Sequence, residues 1–488
     1  MDIKQIILLS VLYYWASSTA LSLGVGYYTM YRPVIAGCLT GLVLGEPFTG
    51  MMAGAVVNII YIDFVSTGGS LEGDQCLTAM IAALMAVLFG LSPVEASAAA
   101  YPFGFLGILI WKYRLNINSV FVKKYEKKFA EGMNPHIGIY DGLLPQLLLF
   151  IMSAAVILVT VFVTLLLRKF IINIKYVLFL AGIFLVFSST WNILYKLQSK
   201  KGYLIFAMSL TTALLVNPSS YIIFLIVSAI ILLLSNKKMK LILNSKDYET
   251  HGKNGKIRKR DLIYSWFVWM NFSHSCYSYE RLQGMAFAHS MRNVFKRLYT
   301  GEEEIAGAIH RHSEIFNTEP NMGTPIHGYI ISLEESKQKN KIADENTDDI
   351  MFIKKGMMGI AAGLGDSYTQ VVLTPLFILM SVMLCFDNKF IMALVPVMIL
   401  ASVILIISYT GFMKGYYEGR NSLIERVNIV KNSRIKTYFP YIFSGILGVS
   451  LGKLLIIMFS GTSENLTIYI TVGIISMVYT IVKIKRRN

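Results

Sequence analysis

The sequence predicts an all-α, polytopic membrane protein made of two membrane modules with an amphipathic helical region between them, and three observations carry that prediction. Of 488 residues 55% are hydrophobic and only 15% are charged. Several windows exceed about 18 apolar residues, the length needed to cross roughly 30 Å of hydrocarbon. Lysine and arginine outnumber aspartate and glutamate 45 to 29, but they gather in short segments between apolar runs, as the positive-inside bias requires. That distribution speaks against nucleic acid as a partner and for the lipid bilayer. The opening MDIKQ runs straight into apolar sequence without a small-residue cleavage pattern, so the first span is expected to remain. Cys38, Cys76, Cys276 and Cys385 lie far apart with no CxxC pair, which argues against a disulfide framework and a zinc site.

The first module has apolar segments near 5–23, 76–111, 141–167, 177–194 and 203–235. Between the first two lies YRPVIAGCLTGLVLGEPFTGMMAGAVVNIIYIDFVSTGGSLEGD, Tyr31 to Asp74, dense in glycine and broken by two prolines. An ordinary spanning helix has no use for that composition, whereas transporters build solute sites from short, interrupted helices. Lys112, Arg114, Lys123, Lys124, Lys127 and Lys128 place the next segment toward the cytoplasm. RKFIINIK (168–175) and YKLQSKKG (195–202) are both basic and separated by one apolar segment. Simple alternation cannot put both inside, so either that segment re-enters or the charges snorkel.

The run from Lys237 to Arg260 is strongly basic and reads as a cytoplasmic linker. A charged, amphipathic region follows over 261–350, with a turn at NTEPNMGTP (317–325) and a surface loop expected at KQKNKIADENTDD (337–349). Apolar segments near 357–386, 390–412, 440–460 and 466–482 then give four crossings, with basic 414–436 and 483–487 inside.

Three constellations could carry chemistry. Gly37, Gly41 and Gly45, then Gly50 and Gly54, recur every four residues, a spacing that serves close helix packing or close approach of a ligand. After them Asn58, Asp63, Ser66, Thr67, Asp74 and Gln75 put polar groups in an apolar neighbourhood, where they must be paired or face a cavity. The second is NFSHSCYSYERLQGMAFAHSM, Asn271 to Met291, with Phe272, Tyr277 and Tyr279 among hydroxyls and amides and with Glu280, Arg281 and Gln283 expected at helical spacing. Rings that stack on a sugar face beside amides and carboxylates that take its hydroxyls would fit; so would an interfacial aromatic belt. The third is KKGMMGIAAGLGDSYTQ, Lys354 to Gln370, a flexible glycine-rich element expected to carry Asp366 into the membrane. It lacks GxxxxGK[ST], so it is no phosphate loop. HRH at 310–312 invites a metal, but i and i+2 point to different helix faces, and no metal site, catalytic triad or cofactor is expected.

Together these segments resemble the membrane components of the mannose-family sugar phosphotransferase system, a IIC unit over 1–236 fused through 237–257 to a IID unit over 258–488. RPVIAGCLTGLVLGE and TGMMAGAVVNIIYIDFVSTGGSLEGD look like the IIC signature. SYERLQGMAFAHSM, IHRHSEIFNTEPNMGTPIHGYIISLEE and IKKGMMGIAAGLGDS look like three successive IID blocks. The resemblance implies a multi-pass permease of the bacterial cytoplasmic membrane, trimeric, holding a hexose or amino sugar between its IIC and IID parts. It also implies a phosphoryl donor, a phosphohistidine on a separate cytosolic IIB protein that IIA charges. The chain departs from the family where an acid commonly precedes the RP motif and where a glutamate commonly stands at Asn58. It departs again at His274-Ser275-Cys276, commonly Gln-Gly-Ser, and at Ser367, commonly proline. Such changes imply an altered substrate or, in the alternative, an uncoupled permease or a non-transporting sensor paralogue. Expected sugar contacts are Asn58, Ser66, Asp74, Asn271, His274, Glu280, Arg281, Gln283 and Asp366, although Glu280-Arg281 could be an ion pair and Asp366 a helix cap.

Overall fold

The computed structural model describes residues 1–20, 22–62, 73–234, 256–340 and 345–459. Ser66 with Asp63 and Thr67, nearly all of the linker over 237–257, and the fourth apolar segment of the second module lie outside the described residues. The regular elements are helices: α1 Ile3–Ser17, α2 Pro33–Leu44, α3 Pro47–Ile60, α4 Gln75–Phe89, α5 Pro93–Ala100, α6 Gly104–Ala130, α7 Leu144–Leu166, α8 Arg168–Asn173, α9 Lys175–Leu197, α10 Lys200–Val216 and α11 Ser220–Leu234 in the first half. The second half contributes α12 Lys259–Phe272, α13 Gly284–Leu298, α14 Glu302–His312, α15 Thr324–Asn340, α16 Glu345–Gly365, α17 Thr374–Phe386, α18 Phe390–Glu418, α19 Arg420–Lys431 and α20 Arg434–Phe459. Among the described residues six continuous helical stretches are long and apolar enough to cross a membrane: Pro93–Ala130, Ile139–Leu166, Lys175–Leu197, Asp349–Phe386, Phe390–Glu418 and Arg434–Phe459. This is a multi-pass membrane protein.

The glycine-rich stretch forms a hairpin of two helices that are each too short to span. α2 and α3 have 12 and 14 residues, or about 20 Å at 1.5 Å per residue, against roughly 30 Å of hydrocarbon. Each opens on a proline at its first position, where the missing N–H costs nothing. α2 ends at Gly45, whose φ of 93° closes the turn. A Cβ at Gly37 would land on the Gly50 carbonyl, and one at Gly54 on the Pro33 carbonyl, so the glycines are there to let the two backbones touch. α9 has 23 residues, about 35 Å. The basic stretches 168–175 and 195–202 therefore lie at opposite ends of one continuous helix that is long and apolar enough to span.

Two expectations fail locally. In the stretch over 337–349, expected as a surface loop, residues 341–344 lie outside the described residues and the rest is helical, because α15 continues to Asn340 and the next helix begins at Glu345; lysine, glutamine and glutamate are good helix formers. The glycine-rich run over 354–365 is continuous helix that passes through a π-helical segment, Asp366–Leu373, into α17. Its glycines at 356, 359 and 363 meet no neighbouring side chain.

The halves are not side by side but interlocked. One hydrophobic core joins residues of α1–α5 to α17, α18 and α20, and a second joins the end of α6 to α12–α15. At the elbow between α10 and α11, Lys453 of α20 donates to Asn217 (2.9 Å) and to Asp387 (2.9 Å), while Asp387 also accepts from the Ser220 backbone N–H (3.0 Å). Intramembrane charges must be paired in this way, and here the pairing ties the first half to the second.

Candidate functional site

α4 begins at Asp74, whose carboxylate accepts from the Leu77 N–H (2.8 Å) and from the Tyr13 hydroxyl (2.6 Å). Capping a helix start with a carboxylate is favourable in itself, and the glycine at 107 gives the side chain its room, since a Cβ there would strike it. From this point a cavity of about 170 Å³ opens between the two halves. The first half supplies Tyr13, Tyr27, Tyr28, Tyr31, Asp74, Trp111 and Arg114; the second supplies Ser273, His274, Tyr277, the segment 317–321, Asp366 and Gln370. The volume is smaller than the roughly 300–1,000 Å³ of drug-sized ligand sites and is on the scale of a monosaccharide.

Hydrogen bonds stitch the walls together across the seam. The Tyr28 hydroxyl donates to Glu319 (2.8 Å), which is also filled by the N–H groups of Asn321 (3.1 Å) and Met322 (2.6 Å) and by the Asn321 amide (2.9 Å). Arg114 donates to the carbonyls of His274 and Ser275, and Asn118 to those of Ser275 (3.3 Å) and Tyr277 (2.9 Å). Gln283 holds Thr318 by both backbone groups, donating to its carbonyl and accepting from its N–H at 2.9 Å each, and approaches His274 Nε2 at 3.3 Å. Burial, and next the Arg114 charge, push His274 down to about 4, so its imidazole is neutral at physiological pH. Its ring lies against Tyr277, centroids 5.5 Å apart.

Asp366 differs from every other acid here. It stands at the start of the π-helical segment, half-buried, and accepts no hydrogen bond from any described residue. π-helical insertions are common where a side chain must be re-aimed into a site. The cavity thus offers aromatic faces, a neutral histidine, amides and one carboxylate whose acceptor capacity is open, a set suited to a polyhydroxylated ligand.

Of the nine expected sugar contacts the structure brings Asp74, His274 and Asp366 to this cavity. Asn58 is elsewhere: its Oδ1 accepts from the Val34 N–H (2.9 Å), capping α2 beside a much smaller cavity with Arg32 and Gln75. Asn271 donates to the Phe267 carbonyl (2.8 Å) within α12. Glu280 pairs with Lys123 (3.2 Å) near the surface, and Arg281 pairs with Glu126 (2.6 Å), which His310 also contacts (2.9 Å). Gln283 stands behind the wall rather than in it. The helical spacing expected for 280–283 is absent because Leu282 takes a φ of 50° and the helix starts only at Gly284. Of the three rings in that run only Tyr277 lines the cavity; Tyr279 is exposed and Phe272 packs on His289.

Sequence reasoning passed over Arg114, Trp111, Glu319 and the three tyrosines. Arg114 was expected to face the cytoplasm with the lysines around it, but only 4% of it is exposed; the preceding aromatic was the one sign that it belongs to an apolar wall. Tyr27, Tyr28 and Tyr31 crowd the six residues before Pro33, a density that a plain loop does not need.

Comparison with known proteins agrees with this two-part layout. The family described as "PTS system sorbose-specific iic component" matches residues 3–234, and that described as "PTS system mannose/fructose/sorbose family IID component" matches 256–439. The PTS system sorbose-specific EIID component of Lacticaseibacillus casei is 30% identical over 34% of this chain and 57% of its own length. The fructose permease IID component of Bacillus subtilis (strain 168) is 30% identical over 35% of this chain and 61% of its own. The chain therefore spans less than two thirds of the length of these relatives. The PTS system sorbose-specific EIIC component of Klebsiella pneumoniae is 27% identical over 22% of this chain and 40% of its own. Among solved structures, a mannose transporter ManYZ bound to microcin E492 is 27% identical, with a TM-score of 0.32, over 41% of this chain and 71% of its own.

Proposed function

This chain belongs to the mannose/fructose/sorbose family of phosphotransferase-system membrane components and carries a IIC part and a IID part in one polypeptide, and from that premise we propose that it is a sugar permease of a phosphoenolpyruvate-dependent phosphotransferase system. The observation that carries the proposal is the cavity on the seam between the two parts, with Asp366 left open to a ligand. A hexose or amino sugar stacks an apolar ring face on Trp111 or Tyr277 and donates hydroxyl hydrogen bonds to the Asp366 carboxylate, which accepts them. Asn317 and Gln370 offer amides to the remaining hydroxyls. Tyr28 and Glu319, bonded to each other across the seam, keep the two walls in register while the sugar is bound.

The phosphoryl group comes from a phosphohistidine on a separate IIB protein, charged in turn by IIA, and no residue of this chain carries it in that scheme. The protein sits in a bacterial cytoplasmic membrane, works as a trimer, and its fusion fixes one IIC to one IID. The test is formation of labelled sugar phosphate by vesicles carrying the full chain, given phosphoenolpyruvate, the general coupling proteins and a cognate IIA and IIB, across hexoses, ketoses and amino sugars. Product from one sugar supports the reading and identifies the substrate. No product from any sugar, with IIB phosphorylated and the chain folded, overturns it in favour of an uncoupled permease or a sensor.

A further inference from the structure

Beside the sugar cavity, and sharing Gln370 with it, lies a second cavity of about 20 Å³. It opens where four elements meet on the seam. Arg32 leads into α2, Asn58 stands in the last turn of α3, Gln75 opens α4, and Gln370 belongs to the π-helical segment before α17. A single water needs roughly 10–15 Å³. The space therefore admits one water or one monatomic ion and excludes a sugar ring or a phosphate.

The wall of this cavity is rich in donors and short of acceptors. Arg32 is only 8% exposed, its Nε is buried without a hydrogen-bond partner, and among the described residues no carboxylate pairs with its guanidinium or lines the cavity. The guanidinium lies over the Tyr27 ring, 4.8 Å from the centroid, a contact that uses its face and leaves its N–H edge open. Arg114, also buried on the seam, differs in that its N–H groups reach the carbonyls of His274 and Ser275. Asn58 gives its Oδ1 to the Val34 N–H (2.9 Å), so its uncommitted end is the NH2 group. Gln75, 5% exposed, and Gln370 make no side-chain hydrogen bond with a described residue. The two hydroxyls on the wall are engaged, Tyr61 with Thr78 (3.0 Å) and Thr374 by donating to the Thr369 carbonyl (2.7 Å).

We propose that this cavity binds one monatomic anion, chloride, held by the N–H edge of Arg32 and the amide N–H groups of Asn58, Gln75 and Gln370. A charge withdrawn from water requires a counter-charge, and the volume leaves room for no larger one. A water in the same place would fill hydrogen bonds but leave the guanidinium uncompensated. Gln75 and Gln370 have no competing bond, so each is free to turn its NH2 end toward the anion. Arg32 stacks on Tyr27 and follows Tyr31, both of them walls of the sugar cavity, and Gln370 stands in both cavities. The bound anion therefore steadies one wall of the sugar site, and sugar affinity should rise with it. That coupling rests on the permease reading; the anion site itself does not.

The experiment is chloride NMR line broadening and thermal melting of the purified full chain, with chloride exchanged for gluconate at constant ionic strength. Saturable broadening is expected, with bromide competing and sulfate not, together with a melting temperature that rises with chloride. Broadening should be lost in Arg32→Gln, about fivefold weaker in affinity in Gln75→Leu for one neutral hydrogen bond, and unchanged in Glu280→Ala. Asn58→Asp keeps the acceptor for the Val34 N–H and sets a carboxylate on the cavity wall with Arg32. It should bind no chloride and melt in gluconate as high as the parent melts in chloride, which tests the site even where Arg32→Gln fails to fold. Absence of saturable broadening overturns the site and assigns the cavity to water, as does broadening that Arg32→Gln or Asn58→Asp leaves intact. Equal sugar affinity in chloride and gluconate overturns the coupling. Failure of the permease reading looks different: chloride still binds, and no sugar phosphate is formed.

Discussion

Glu334, in the helical region over 259–340, and Asp366, in the seam cavity, are both acids withdrawn from bulk water, and they are treated in opposite ways. Glu334 is saturated: His312 Nε2 (2.8 Å), Arg311 (3.0 Å) and the Tyr299 hydroxyl (2.6 Å) all donate to it. Burial opposes its charge, but these donors hold its carboxyl below the usual range. Asp366 has no donor among the described residues. A folding chain gains nothing by leaving a half-buried acceptor open, so the contrast separates polar groups that build the protein from one that waits for something else. His312, fully buried, belongs to the same saturated network through its bond to Glu334.

Breaking the saturated side should have the largest effect. Glu334→Leu leaves Arg311, His312 and Tyr299 without their common acceptor in a dry core. Removing one partner of a buried charged network costs about 3–5 kcal/mol, so the melting temperature of the purified chain should fall and proteolysis within 259–340 should rise. An unchanged melt would mean that the network is ornamental, and the comparison would lose its structural half.

A pH scan sharpens the same half at a slightly smaller scale. Burial pushes His312 down from its ordinary 6.5 to about 4, against the opposing pull of Glu334. Between those values the unfolded chain binds more protons than the folded one. This contribution to stability is therefore fully present above about pH 6.5 and is lost as pH falls toward 4, on the order of 3 kcal/mol in all. Glu334, lowered from 4.5, adds a further loss only below that value. His312→Gln should flatten the slope of stability between pH 6.5 and 4 without abolishing it, because burial lowers His327 as well. A slope that survives the substitution intact would sink the assignment.

Asp366→Asn addresses the open side. Nothing in the fold leans on this carboxylate, so the melt should not move, whereas sugar uptake should fall roughly 10–100-fold for one lost charge-assisted hydrogen bond, about 1.4–3 kcal/mol. Uptake at the parent rate would falsify its role as a ligand group; a large drop in melting temperature would show that it was structural after all.

What the sequence revealed of the site follows the same division. Asp366 was legible as the acid carried by a glycine-rich element, and His274 as a polar group among the rings, hydroxyls and amides of 271–291; both face the cavity. Asp74 was legible because polar groups in apolar surroundings must be paired or face a cavity, yet it is partly a helix cap. Asn58 satisfied the same rule and was misplaced, because a buried amide that caps α2 is also paired and composition cannot tell the two apart. Arg114 was hidden among Lys112, Lys123 and Lys124, where a charge that sets topology and a charge that clamps the seam look alike. Glu319 sat in a turn whose Pro and Gly explained the local sequence well enough. The two modules and most of the spans were legible from apolar runs. The cavity was not, since its walls come from residues as far apart as Tyr13 and Gln370, and nothing in a single sequence brings those together.

Glu280→Ala gives the smallest effect and the cleanest control. Glu280 reaches Lys123 at 3.2 Å, but 38% of its side chain and 71% of that of Lys123 are exposed. Exposed pairs of this kind contribute about 0–1 kcal/mol and are screened by salt. Sugar uptake should therefore stay within about twofold of the parent, and the melt within a degree or so of it. Neighbouring Arg281 is tied to Glu126 at 2.6 Å with only 22% of its side chain exposed, so Arg281→Ala should cost more than Glu280→Ala in stability and again little in sugar recognition. A strong uptake defect in Glu280→Ala with an unchanged melt would put the sugar, or its path into the cavity, on the outer side of the 273–283 segment. The seam cavity would then be a stage of transport and not the site that selects the substrate.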